Sequence, residues 1–301
     1  MNLVWHDYDP KTMGYIETWL DEIAVKFTGL DEGFRSFYEY WAKENGFAVG
    51  ENYWCKVVLV NDEPVAVLAC SLYDAVVTIM EIVVKPENRG KGIGTKLLKE
   101  LWEKEEILGF PIQKSEAVIF PRNIASQRAF EKAGFRYHHA NEDGDAWYYA
   151  YERQRSCPNH QIFGTKENVE YDSREGAYLI PVQNGLVGVV ETPKGYFLLG
   201  GGLEEGESHI VCIERECMEE SGCLPAIKGW LGSAESYLDH PIIGPFHPVQ
   251  TYYYGQLRAK VAEPKDTDHV LVWLPYDWLQ GKLHLEMQSW ALDRCAALLG
   301  L

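Results

Sequence analysis

The chain has 301 residues, which on length alone divides into about two domains. Its 45 Asp and Glu against 28 Lys and Arg give a formal charge of −17, which excludes long-range attraction to polymeric nucleic acid or anionic lipid, since both need clustered basic residues. No run of about eighteen apolar residues occurs, and the start MNLVWHDYDPK lacks a basic stretch leading into an apolar one, so the expectation is a cytoplasmic soluble protein.

In chain order, the first segment is rich in rings: Trp5, Trp19, Phe34, Phe37, Tyr38, Tyr40, Trp41 and Trp54. Such a stripe serves either as core or as the wall of a substrate pocket. Thr78 to Val84 (TIMEIVV) then reads as a strand, stopped by Lys85-Pro86. The sequence that follows, ENRGKGIGTKLLKELWEKE, predicts a helix from near Gly92, with Ile93, Leu97, Leu98, Leu101 and Trp102 as its buried stripe. Gly90, Gly92 and Gly94 free the backbone amides before that helix to point at an anion, the strand, glycine turn and helix N-terminus that bind pyrophosphate. Further on comes Asn123-Ile-Ala-Ser126, then Phe130, Gly134 and Phe135.

Taken with Arg89-Gly90-Lys91-Gly92-Ile93-Gly94, which fits R/Q-x-x-G-x-G/A, these residues resemble the acyl-coenzyme A site of the GNAT acyltransferases over roughly residues 1 to 150. The resemblance implies a mixed sheet flanked by helices, with acetyl-CoA as cofactor. It implies that the amides of Arg89, Gly90, Lys91, Gly92, Ile93, Gly94 and Thr95 cradle the coenzyme pyrophosphate. Ile82, Val83 and Val84 would align pantetheine and acetyl group through backbone hydrogen bonds, with Asn123 and Ser126 completing the cofactor site. Phe130 stands where many relatives have the tyrosine that protonates the departing thiolate, which leaves Tyr137 or water for that task. Glu81 is either the general base or an ion-pair partner. The half reads as an acetyltransferase for an unknown amine, an acetyl-CoA sensor or a retained scaffold.

Domain bounds are set at 1–152 and 176–301, joined by a polar linker at 153–175. Cys157 and His160 within it have the spacing of a zinc half-site but no second pair, so they read as linker residues. Seven cysteines without a paired framework read as reduced thiols.

In the second half, AYLIPV, Asn184-Gly185, LVGVVET, Pro193-Lys194-Gly195 and YFLLG alternate strand and turn. Ser208 is a natural N-cap for a helix whose apolar stripe is Ile210, Val211, Ile213, Cys217 and Met218, with Glu216, Glu219 and Glu220 on the opposite arc. Like charges at that spacing cost a helix about 0.2–0.5 kcal/mol per pair, so a cation is expected on the cluster. Carboxylates without His or Cys suit Mg²⁺ or Mn²⁺.

The spacing of Gly201, Glu207, Arg215, Glu216, Glu219, Glu220 and Gly222 fills G-x5-E-x7-R-E-U-x-E-E-x-G-U, with Cys217 and Cys223 at the aliphatic positions. It resembles the box of the Nudix hydrolases. The resemblance implies an α/β/α sandwich with a mixed sheet and hydrolysis of a nucleoside diphosphate linked to another group. Glu216, Glu219, Glu220 and the Gly200 carbonyl are then metal ligands, and Arg215 orients a glutamate with Glu207 as its partner. Relatives often have proline at the position of Gly200. Which carboxylate is the base stays open, and Asp266, Asp268 or Glu286 could add a late acid. Tyr237 and Tyr252-Tyr253-Tyr254 are either strand residues or selectors that stack on a base. Small anionic nucleotides such as ADP-ribose, nucleoside triphosphates or dinucleoside polyphosphates are the expected partners, and a homodimer is left open.

Overall fold

The computed structural model describes residues 2–44, 47–73, 76–110, 112, 114–152, 159–265 and 268–301. The chain forms two compact units, Met1–Gln154 and Arg155–Leu301.

The first unit is built on strands β1 (Val4–Asp7), β2 (Tyr53–Val60), β3 (Glu63–Tyr73), β4 (Val76–Val84), β5 (Lys114–Ile119), β6 (Arg136–Ala140) and β7 (Trp147–Glu152). They lie in the order β1-β2-β3-β4-β5-β7-β6. Only β4 and β5 run parallel; they need a crossover, and helix α3 lies within it. The helices are α1 (Glu22–Thr28), α2 (Phe34–Glu39), α3 (Ile93–Glu103) and α4 (Ile124–Lys132). Ile93, Leu97, Leu98, Leu101 and Trp102 of α3 are buried, as their periodicity predicts. Most of the ring-rich segment is core: Trp19, Phe34 and Tyr53 are buried with Val57, Val67 and Val83, and Phe37, Tyr38 and Trp41 pack against them. Trp54 is buried against Phe110, whereas Tyr40 is exposed. Trp5 sends its indole N–H to Glu100 at 3.3 Å.

One irregularity matters for function. β4 continues to Val84 and β5 to Ile119, yet their pairing ends at Ile79 opposite Ala117. A register shift against β3 falls at the same place, between Ala69 and Cys70. Met80 is the residue skipped by that shift, and from Glu81 onward β4 is paired to β3 alone, so its other edge presents backbone groups to an open fork.

The second unit contains β8 (His160–Phe163), β9 (Asp172–Gln183), β10 (Leu186–Thr192), β11 (Gly195–Phe197), β12 (Leu199–Gly202), β13 (Cys223–Ser236), β14 (Leu238–His240), β15 (Gly244–Lys260) and β16 (Val270–Pro275). The path is β11-β10-β9-β15-β13-β8, with β12 on β9, β14 on β15 and β16 on β10; β9–β15 and β13–β8 are the parallel pairs. Helices α5 (His209–Ser221), α6 (Tyr276–Leu279) and α7 (Glu286–Leu299) complete it. Successive tyrosines of β15 show the layering. Tyr252 packs with Met287, Ala291 and Leu292 of α7, while Tyr253 places its hydroxyl 3.2 Å from His209 of α5. Both are fully buried, so they are strand residues of an α/β/α sandwich rather than an exposed stacking surface. Tyr237 is stacked on His247, 4.4 Å between centroids.

The segment expected as a linker, 153–175, is in part sheet: β8 pairs with β13, and β9 begins at Asp172. Its polarity is that of an edge satisfied by side chains, with His160 Nδ1 3.0 Å from Ser233 Oγ, and Asn159 bonded to Arg294. Cys157 lies outside the described residues.

Candidate functional site

In the first unit the glycine turn does what its composition requires. Gly90 and Gly92 have φ of 73° and 76°, and Gly92 caps α3 in the left-handed region. Gly94 faces α4, where a Cβ would lie 3.9 Å from that of Ala129, an ordinary packing distance. Asn123 caps α4, accepting from Ser126 N at 3.2 Å. Between this turn, the open edge of β4 and helix α1 lies a cavity of about 380 Å³. Ile82, Val83, Val84, Arg89, Gly90, Gly92, Ile93, Gly94, Thr95, Asn123 and Ser126 line it. Lys91 is exposed, its ammonium 3.4 Å from Asn88 Oδ1, and is not part of the lining.

Arg89 reaches away from the turn. Its guanidinium bonds Asp21 Oδ2 at 2.7 Å, Val84 O at 3.1 Å and Trp19 O at 3.2 Å, so α1 is tied to the end of β4. Glu81 directly precedes the lining stretch of β4. No ion pair or hydrogen bond engages it among the described residues, and burial pushes its carboxyl well above the usual carboxylate range. The ion-pair reading of Glu81 is thereby corrected. Phe130 lines the cavity and packs edge-on against Phe135 at 4.8 Å. Tyr137 is buried beside Trp147 and Tyr149 and is absent from the lining.

In the second unit Ser208 caps α5, accepting from Val211 N, and Gly222 ends it at φ 71°. Arg215 organises the acids. It grips Glu207 with both Nε (2.7 Å) and Nη2 (2.9 Å), reaches Glu216 at 2.7 Å and Glu219 at 3.4 Å through Nη1, and donates to Gly202 O at 3.1 Å. The fork holds the Glu207 carboxyl below its ordinary value. Lys265 binds Glu219 at 2.8 Å and lowers that carboxyl too. Glu220 is buried rather than on the polar arc: Gly200 N–H donates to it at 3.0 Å and His269 Nδ1 lies 3.2 Å away. Val211 and Met218 are only half-buried, and Cys212 takes the fully buried place.

Two expectations change here. Repulsion among the glutamates does not by itself call for a metal, because Arg215, Lys265 and His269 already face them. Among the described residues, no group of three His, Cys, Asp or Glu is arranged to hold an ion as it stands. The donor chemistry nevertheless suits a hard divalent cation, since all three acids offer oxygen only and two of them converge on one guanidinium nitrogen. Asp266 lies outside the described residues, Asp268 sits in a turn, and Glu286 opens α7. Gly200 needs to be glycine: its φ is 136°, and a Cβ would strike Ala177 O of the neighbouring strand.

The Acetyltransferase (GNAT) family model matches residues 8–135, and the NUDIX domain model matches residues 174–293. The chain joins a GNAT domain to a Nudix domain. Among solved structures, the GNAT half is similar to aminoglycoside acetyltransferase AAC(6')-Ib in complex with coenzyme A, at 21% identity over 50% of this chain and 95% of that one, TM-score 0.42. An acetyltransferase from Thermus thermophilus matches at 16% identity, 51% and 98% coverage and TM-score 0.42. The ribosomal-protein-S18-alanine N-acetyltransferase from Escherichia coli matches at 17% identity, 52% and 98% coverage and TM-score 0.37. No curated protein matches the chain.

Sequence reasoning missed Lys265 and His269 of the Nudix site. Both stand beyond the end of β15, and no spacing rule links them to α5. The described residues contain no helix long and apolar enough to cross a membrane.

Proposed function

We propose that the Nudix domain hydrolyses a nucleoside diphosphate derivative with Mg²⁺ or Mn²⁺, and that the GNAT domain transfers an acetyl group from acetyl-CoA to an amine. The observation that carries the first part is the Glu207–Arg215 fork, which fixes Glu216 and Glu219 beside the glycine strand Gly200–Gly202. Glu216, Glu219, Glu220 and the Gly200 carbonyl would hold the metal, whose chemistry is to neutralise phosphoryl oxygens and to acidify the attacking water. Arg215 orients; it does not reach for substrate, because its donors are already spent on Glu207, Glu216, Glu219 and Gly202.

In the GNAT domain the amides of the Arg89–Thr95 turn take the coenzyme pyrophosphate, and the open edge of β4 takes the pantetheine arm. The amine nitrogen attacks the thioester carbon, Glu81 receives the amine proton, and the carbon–sulfur bond breaks. Phe130 has no proton to give, so coenzyme A departs as thiolate and is protonated by water; a thiol of pKa about 8.5 makes that tolerable. Membership of two enzyme families does not favour a sensor.

The deciding experiment is product analysis with Mg²⁺ on ADP-ribose, nucleoside triphosphates and dinucleoside polyphosphates. Glu219→Gln and Glu220→Gln should each abolish cleavage while the fold is kept; turnover retained in both overturns the reading.

A further inference from the structure

Neither Gly201 nor Gly202 has a positive φ, and each lies directly beneath the far end of a side chain. A Cβ on Gly201 would overlap the Glu216 carboxylate, and one on Gly202 would overlap the guanidinium of Arg174. Consecutive residues of a strand face opposite ways. The bare glycine strand therefore carries an acid on one face and an arginine on the other.

The two arginines of the site are used differently. Arg215 has every donor group committed to the box, whereas Arg174 is exposed and has no hydrogen bond or ion pair among the described residues. That is notable in a chain with 45 acids to 28 Lys and Arg. Tyr178, on the same face of β9 as Arg174, is half-buried, and Glu216, Glu220 and Arg174 all lie near enough to act on its hydroxyl. The Tyr178 hydroxyl lies 3.2 Å from Gln250 Nε2, and Gln250 is itself buried.

We infer that Arg174 is a substrate-binding residue that takes the phosphoryl group lying away from the carboxylates, so that a diphosphate straddles the Gly201–Gly202 strand. This rests on the hydrolase reading above and adds to it a residue outside the Nudix box. A guanidinium matches phosphate oxygens bidentately, and none of the donors of Arg174 has to be released first.

The test is calorimetry of the full chain with inorganic pyrophosphate and with ADP in Mg²⁺, the GNAT cavity being identical in wild type and variants. Arg174→Ala should weaken both ligands tenfold or more, Arg174→Lys should lose less, and adenosine should bind equally to all. Gly202→Ala, which displaces the guanidinium from its seat, should weaken pyrophosphate as well. Because the side chain is exposed, the thermal midpoint of Arg174→Ala should not change. Equal affinity of wild type and Arg174→Ala for pyrophosphate, or no binding by either, overturns the inference. Failure of the hydrolase reading shows separately, as cleavage that survives Glu219→Gln and Glu220→Gln.

Discussion

Glu81 and Glu207 are carboxylates of the same kind whose proton affinities move in opposite directions. Burial without a partner raises Glu81, so as a base it is protonated and idle at a pH where an ordinary glutamate, at 4.5, is ionised. Acetyl transfer should rise with pH along a limb whose midpoint lies well above 4.5, and Glu81→Gln should remove that limb; an unchanged profile would exclude Glu81. Glu207 is lowered by Arg215, so its native pKa lies below its unfolded value of 4.5. Its contribution to stability is complete above pH 4.5 and is lost as pH falls through the native value. Glu207→Gln should therefore cost stability at neutral pH and progressively less in acid, read as a difference in denaturation midpoints that narrows below pH 4.5. Fixed offsets made Glu207, Arg215 and the three later glutamates legible in the sequence. Arg174, Lys265 and His269 were not, because each reaches the box from another strand or loop and only the folded chain brings them together.

Among the elements, helices were the easiest to read. The α3 stripe needed only a 3.6-residue period, and the burial of Leu97, Leu98 and Leu101 follows from it. Leu97→Ala should destabilise the GNAT domain by about 2–5 kcal/mol in denaturant unfolding, as for other fully buried leucines. Ser208→Ala, which removes the α5 cap, should cost about 0.5–2 kcal/mol. The fork between β4 and β5 was hidden, since TIMEIVV reads as an uninterrupted strand and nothing in its composition says where a neighbour leaves it. The same limit concealed β8, whose pairing with β13 is upheld by polar groups rather than an apolar alternation.

At the scale of the whole molecule, each unit has its own buried cluster, one around Phe34 and Tyr53 and one around Tyr252 and Leu292. Unfolding is therefore not bound to be a single transition. Acetyl-CoA at a hundred times its dissociation constant should raise the transition of the GNAT unit by about 2.7 kcal/mol. The two-domain count followed from length, while the polar stretch between the motifs gave no sign that part of it belongs to a sheet. The pairing of Lys265 with Glu219 carries one more consequence. A divalent ion binding there would meet a seat that already holds an ammonium, so its loading would be an ion exchange in which the lysine is expelled into water. Taking away that competitor with Lys265→Met should make the protein bind Mg²⁺ more tightly, the reverse of what losing a contact in an active site ordinarily does.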